Sequence, residues 1–240
     1  MVQESAQTVY EVSLNEQEKV PVKISEHDDI RADNLNLTTW TSSFVLSRNL
    51  HKFGLSVTGK SEIPILELGA GTGLVGITTA LLLRRPTILT DLPAIVPGLR
   101  KNVDLNQTLL GPLAREVQCG TLDWKSPDEL VLENGKCFSV SETKADIILA
   151  ADTIYDEAHP ELLSRAILTW LATNSMARAI LCYPLRVAYL DQIREIWTLL
   201  EEGGLVCELE GKERAEVGTN GDDELLCEFA VFKWKKIHER

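Results

Sequence analysis

Residues 63–76 read I-P-I-L-E-L-G-A-G-T-G-L-V-G, and this stretch restricts the fold most strongly. A short apolar run ends in Glu67. Gly69, Gly71 and Gly73 follow at alternate positions, and an apolar run then continues to Leu83. This is the pattern of a strand, a tight turn and a helix N-terminus. Glycine tolerates positive φ and lets backbone come close to a ligand. The first helical turn presents N–H groups that have no partner inside the helix. The segment therefore predicts a nucleotide-like ligand at the tip of a parallel strand.

Residues 71–76 also fit the G-x-G-x-x-G dinucleotide pattern, with Asp91 about 20 residues on, where a ribose-binding acid is expected. Glu67 points to a different ligand. A pyrophosphate wants N–H groups and no neighbouring negative charge. A carboxylate two residues before the first glycine suits a cation instead. S-adenosylmethionine carries an ammonium and a sulfonium and no phosphate.

The chain has 240 residues, of which 44% are hydrophobic, enough for the core of one large α/β domain. It has no apolar run of membrane-spanning length. Its first residues, M-V-Q-E-S, lack the basic and apolar regions of a secretion signal. The five cysteines are scattered without C-x-x-C spacing, which predicts reduced thiols and a cytoplasmic or nuclear location. The four histidines stand far apart, so no metal site is expected. A net charge of −12 argues against nucleic acid as the main partner and suits a basic protein or cationic substrate. A monomer is expected, because no apolar surface stripe is evident.

Alternation over residues 8–14 and 20–25 predicts a hairpin. The charged stretch 26–33 reads as a loop, and 38–53 as a helix with a stripe of Trp40, Phe44, Val45 and Leu50. Strands are predicted at 63–68, 87–90, 115–119, 145–150, 179–183 and 205–209. Helices are predicted at 74–83, 93–106, 160–173 and 187–202, with Pro93 in a first turn. Residues 126–144 and 211–223 read as loops, and 225–234 as a long last strand. Asn102 and Asn106 read as capping or surface groups, and His159 as the start of a helix.

This βα alternation implies a parallel doubly wound sheet. A helix-free return to the last strand makes that strand antiparallel. The expected fold class is α/β, a doubly wound, seven-stranded, Rossmann-like methyltransferase sheet with an antiparallel last strand. An N-terminal β-hairpin and helix precede it. Residues 1–33 are expected to form the hairpin extension and 34–240 the methyltransferase domain.

Several motifs together resemble the S-adenosylmethionine-dependent protein-lysine methyltransferases of methyltransferase family 16. They are Thr39-Trp40, the 67–76 glycine segment, T-D-L-P at 90–93, L-D-W at 122–124 and D-T-I-Y at 152–155. The resemblance covers about 32–235. The A-D-N-L at 32–35 and T-W-T-S-S at 39–43 are similar to fungal elongation-factor methyltransferases, which implies a translation elongation factor as the protein partner.

The resemblance implies roles for particular residues. Glu67, Gly69, Gly71 and Gly73 would face the methionine part of S-adenosylmethionine, and Asp91 the ribose hydroxyls. Trp124 would offer adenine a flat apolar surface, and Asp123 would accept from its amino group. Trp40 would close the pocket, and Ala150 would line it. Asp152 and Tyr155 would form the acceptor site, as orienting acid and channel wall, with S-adenosylhomocysteine as the product. Each residue also has a plain structural reading. Asp91 and Asp152 make good helix caps, and Trp40, Trp124 and Tyr155 make ordinary packing groups. Small-molecule methylation and nicotinamide-dinucleotide binding remain as alternative functions.

Overall fold

A computed structural model describes residues 7–32, 35–59, 61–215 and 226–235. The chain opens with the antiparallel hairpin of β1 (Gln7–Ser13) and β2 (Lys19–Ser25). A second small pair follows, β3 (His27–Ala32) and β4 (Leu35–Leu37). The stretch read as a loop is therefore partly strand. Pairing of two short strands rests on backbone hydrogen bonds, so a charged composition does not forbid it.

Next come α1 (Thr41–Asn49), β5 (Ile65–Leu68), α2 (Leu74–Leu83), β6 (Thr87–Asp91), α3 (Val96–Leu105) and the one-turn α4 (Gln107–Leu110). Then follow β7 (Val117–Thr121), β8 (Glu129–Leu132), β9 (Cys137–Ser139), β10 (Ile147–Ala151) and α5 (His159–Trp170). The chain closes with β11 (Arg178–Pro184), α6 (Leu190–Glu202), β12 (Leu205–Arg214) and β13 (Leu226–Trp234). Pro93 precedes α3, and Pro97 takes the first-turn position.

The main sheet runs β12-β13-β11-β10-β5-β6-β7-β8-β9. The strands from β11 to β7 are parallel, and β13 is antiparallel to both of its neighbours, as expected from the helix-free return. The seven expected strands form the first seven places in that order. The sheet has nine strands because 126–144 contains β8 and β9, which add antiparallel at the β7 edge. At four and three residues, they are too short to leave a clear alternation in the sequence.

The central strands are buried on both faces, as a covered parallel sheet requires. Ile148 and Ala150 of β10 pack with Leu163, Ile167 and Trp170 of α5 and Ile196 of α6. Ile147 and Leu149 face the opposite way, towards Val45 and Leu46 of α1 and Val75 of α2. α2 is apolar nearly all round because α1, the hairpin strand β2 and the sheet strands β5 and β6 pack around it. Its two polar residues, Thr78 and Thr79, satisfy their hydroxyls on Leu74 O and Val75 O, one turn back.

The hairpin is built into this core. Tyr10, Val12, Val22 and Ile24 join Leu74, Ile77, Leu99 and Val103 in one buried cluster. Asn102 and Asn106 fix its backbone and are buried; of the capping or surface places expected for them, Asn106 takes the first, at the C-terminal cap of α3, and neither takes the second. Asn102 Oδ1 accepts from Ser25 N–H at 2.8 Å, and its Nδ2 donates to Ser25 O and Thr72 O. Asn106 repeats the pattern with both backbone groups of Lys23. Four helical residues rise about 6 Å and two strand residues about 7 Å, so the two amides meet alternate strand residues in register.

Candidate active site

The C-terminal ends of β5, β6, β7 and β10 open into one cavity of about 460 Å³. Ligands in open α/β sheets occupy this side. The lining includes Trp40, Gly69, Gly71, Asp91, Asp123, Trp124, Asp152 and Tyr155. Eight of the eleven residues predicted from the sequence are therefore brought together. Glu67, Gly73 and Ala150 stand outside the lining.

Each of the three has a physical reason for its place. Glu67 is buried behind the glycine turn, where its Oε2 accepts from Gly76 N–H at 2.9 Å. It thereby satisfies one of the unpaired amides of the α2 start. Burial pushes its carboxyl well above the usual range, and the Gly76 hydrogen bond opposes that rise. Gly73 forms the N-cap of α2 at φ 84°, packed against Leu99. Ala150 points to the α5 side of the sheet, and the next residue, Ala151, lines the cavity.

Gly69 sits at φ 64°, and a Cβ there would come 2.8 Å from Thr153 Cγ2 and 3.3 Å from the Trp124 ring. Only glycine lets the three exit loops touch at this point. Gly71 has φ 53°, and its N–H donates to Asp91 Oδ2 at 2.7 Å. Asp91 Oδ1 accepts from Leu92 N–H at 2.7 Å. Burial raises the Asp91 carboxyl to about 6, against the pull of these two hydrogen bonds.

The turn after β7 is held from two sides. Asp123 Oδ1 accepts from Lys125 N–H, and Arg165 of α5 donates to Trp124 O and Lys125 O. His159, the first residue of α5, stands edge-on to Tyr155 at 4.4 Å between centroids and edge-on to Trp124 at 5.8 Å. It is thus more than a helix start: it joins the two halves of the lining.

Asp152 follows β10 at φ 54°, a left-handed conformation that Asp tolerates better than most residues. Its two oxygens accept from Arg186 Nη1 at 2.7 Å and Nη2 at 3.2 Å. The Arg186 guanidinium also lies 5.5 Å from the centroid of the Trp40 ring. The sequence reading missed Arg186. It follows β11, the neighbour of β10, and strand adjacency is the signal that could have found it.

The lining carries three carboxylates (Asp91, Asp123 and Asp152), one lysine, Lys125, and one histidine, His159. That balance fits a ligand with positive charge and no phosphate, so the residues present suit S-adenosylmethionine better than a dinucleotide. Among the described residues no group of three or more His, Cys, Asp or Glu could hold a metal ion. No helix among them is long and apolar enough to cross a membrane. The five cysteines are free, and three of them are buried.

The strand order, with its reversed β13, and the cavity at the strand ends define a Rossmann-like methyltransferase fold. The crystal structure of a methyltransferase from Pyrococcus furiosus has the same fold, at TM-score 0.53 and 16% identity, covering 89% of this chain and 90% of that one. The chain belongs to the lysine methyltransferase family, whose sequence profile matches residues 17–193. It is 36% identical over 193 residues to the protein-lysine N-methyltransferase EFM2 of Saccharomyces cerevisiae, covering 73% of this chain and 43% of that protein. It is 38% identical over 162 residues to the protein-lysine N-methyltransferase rrg1 of Schizosaccharomyces pombe, covering 67% of this chain and 50% of that protein. The chain thus spans about half the length of these two relatives.

Proposed function

We propose that the chain transfers a methyl group from S-adenosylmethionine to a lysine side chain of a protein, with a translation elongation factor as the substrate class. One observation carries the reading. A single cavity is lined on one side by Gly69, Gly71, Asp91, Asp123 and Trp124, and on the other by Asp152 and Tyr155. Family membership and the names of the two fungal relatives support it.

The donor side has complementary parts. The glycine turn lets backbone approach the methionine part. Asp91 accepts from the ribose hydroxyls, and Asp123 from the adenine amino group, with Trp124 as an apolar platform. Trp40 covers the pocket from the α1 side. When bound, the cofactor supplies a methyl carbon on a positively charged sulfur.

The acceptor side has to deliver a neutral amine in line with that carbon. Lysine has an unperturbed pKa of about 10.4, so it loses a proton before attack. A second cation in a desolvated site favours that loss. Asp152 orients the amine, and Tyr155 walls the channel with an aromatic face that attracts a cation. Alignment of the two reactants supplies much of the acceleration. The chain acts as a cytoplasmic monomer on a protein, not on nucleic acid.

The test is transfer from a methyl-labelled donor in a cell extract, with the products separated by size and the labelled residue identified by mass spectrometry. Label on lysine in a discrete protein band is expected. Label confined to small molecules would contradict the proposal.

A further inference from the structure

We propose that Thr39 is a positioning residue for the donor: through a hydroxyl pair with Thr72 it ties the entry of α1, which carries Trp40, to the glycine turn, so that the donor pocket is set before the cofactor arrives. The inference rests on the donor half of the reading above and gives a role to a residue outside the cavity lining.

The sequence departs from a local rule at the entry of α1. Trp40 is the N-cap of this helix, in an extended conformation, and makes no side-chain cap hydrogen bond. Ser, Thr, Asp and Asn are the residues that hold a helix start by capping it. An entry without such a cap takes its position from tertiary contacts, and departures of this kind gather at functional sites. Thr39 makes contacts of that kind. Thr39 is 1% exposed and Thr72 2%, and their hydroxyl oxygens lie 2.9 Å apart, one donating to the other. The Thr39 N–H donates to Glu26 Oε1 at 3.0 Å. From the hairpin, the Tyr10 hydroxyl hydrogen-bonds with Thr39 and with Glu26. Backbone and side chain of Thr39 are therefore both anchored.

The hydroxyl pair joins two stretches of the cavity lining. Thr38 and Trp40, on either side of Thr39, belong to one, and Gly69, Gly71 and Thr72 belong to the other. The glycine turn is also held from β6, where Thr90 O accepts from Ala70 N–H and Asp91 accepts from Gly71 N–H, and from α3, where Asn102 donates to Thr72 O. Thr39 adds the tie to the entry of α1. Glycine has more backbone freedom to lose than any other residue. A turn with Gly69, Gly71 and Gly73 all at positive φ is therefore steadied by each fixed point. A pocket that is already ordered binds more tightly than one the ligand must order, because the apparent Kd is the intrinsic Kd divided by the competent fraction. Removing the pair lowers that fraction while the groups that line the pocket beside Thr39 stay the same.

The test measures S-adenosylhomocysteine affinity by calorimetry on the whole chain, with urea unfolding of each variant as a separate measure of stability. Thr39→Val removes the hydroxyl and keeps the branched shape, and it should weaken binding about five- to tenfold, the scale of one buried hydrogen bond. Thr39→Ser keeps the hydroxyl and should bind within about twofold of wild type. Thr39→Val and Thr72→Val each break the same pair, so the double variant should bind no more weakly than Thr72→Val alone. Thr39→Ala, with the same expected loss, takes the place of Thr39→Val if that variant does not fold. Wild-type affinity in the folded Thr39 variant, with only the urea midpoint lowered, would make the pair a plain stability contact and overturn the inference. So would a Thr39→Ser variant as weak as Thr39→Val, or losses that multiply in the double variant. A wild-type chain that binds no S-adenosylhomocysteine overturns the reading beneath it.

Discussion

At the scale of single residues, the role proposed for Asp91 would tie donor binding to pH. Its carboxyl is raised to about 6 by burial, and in the proposed site the form that would accept from ribose hydroxyls is the ionised one. S-adenosylhomocysteine affinity should therefore rise about tenfold from pH 5 to pH 7, as the ionised fraction goes from about a tenth to about nine-tenths. Stability of the ligand-free protein runs the other way. The native state holds the proton more tightly than the unfolded chain, so this group's contribution falls by up to about 3 kcal/mol as pH rises from about 4 to 6. Calorimetry and urea unfolding across that range measure the two effects. Asp91→Asn should flatten both, and an affinity that still climbs tenfold in this variant would place the titrating group elsewhere. Asp91 was legible in the sequence because it follows a strand at a set distance from the glycines. Arg186 was not, because its partner lies 34 residues away and only the adjacency of β10 and β11 brings them together.

At the scale of elements, the glycine turn is held by an asparagine one helix away. Asn102 donates to Thr72 O inside the turn while it pairs with Ser25 of the hairpin. Asn106 pairs with Lys23 and with Asn102 O, and does not touch the turn. Removing either amide leaves buried backbone groups unpaired, at about 1–3 kcal/mol each. Asn102→Ala and Asn106→Ala should both lower the urea midpoint, but only Asn102→Ala should also weaken S-adenosylhomocysteine binding several-fold. Equal loss of affinity in the two would mean that the hairpin, not the contact with Thr72, sets the loop. The sequence marked both asparagines as capping or surface groups, and their pairing with the hairpin was hidden because those strand partners lie about 80 residues earlier. Local patterns read well where an element depends on its own residues, as α2 does, with bounds that match the prediction. They fail where pairing alone makes the element, as at β8 and β9.

At the scale of the whole molecule, the C-terminal end of the sheet brings the two proposed half-sites together. The exits of β5, β6 and β7 carry the residues proposed for the donor, and the exit of β10 carries Asp152 and Tyr155, proposed for the acceptor. Gly69 lets the two groups close on each other, since a side chain there would strike Thr153. The fold class and the place of the cavity could be read from glycines, acids and aromatics at strand ends, and eight of the eleven residues so chosen line it. The core position of the hairpin could not, because its apolar face has meaning only once α2 and α3 lie beneath it. The proposal divides the cavity into a donor half and an acceptor half, and mutation can separate the two. The most direct measurement compares S-adenosylhomocysteine affinity and the rate of methyl transfer to protein lysine for wild type, Asp152→Asn and Tyr155→Phe. A contact made mainly in the transition state lowers kcat more than binding. Both variants should keep donor-side affinity within about threefold and lose about tenfold or more in transfer rate, each tenfold step being about 1.4 kcal/mol. Transfer at the wild-type rate in Asp152→Asn, or parallel losses of affinity and rate in both variants, would contradict the account.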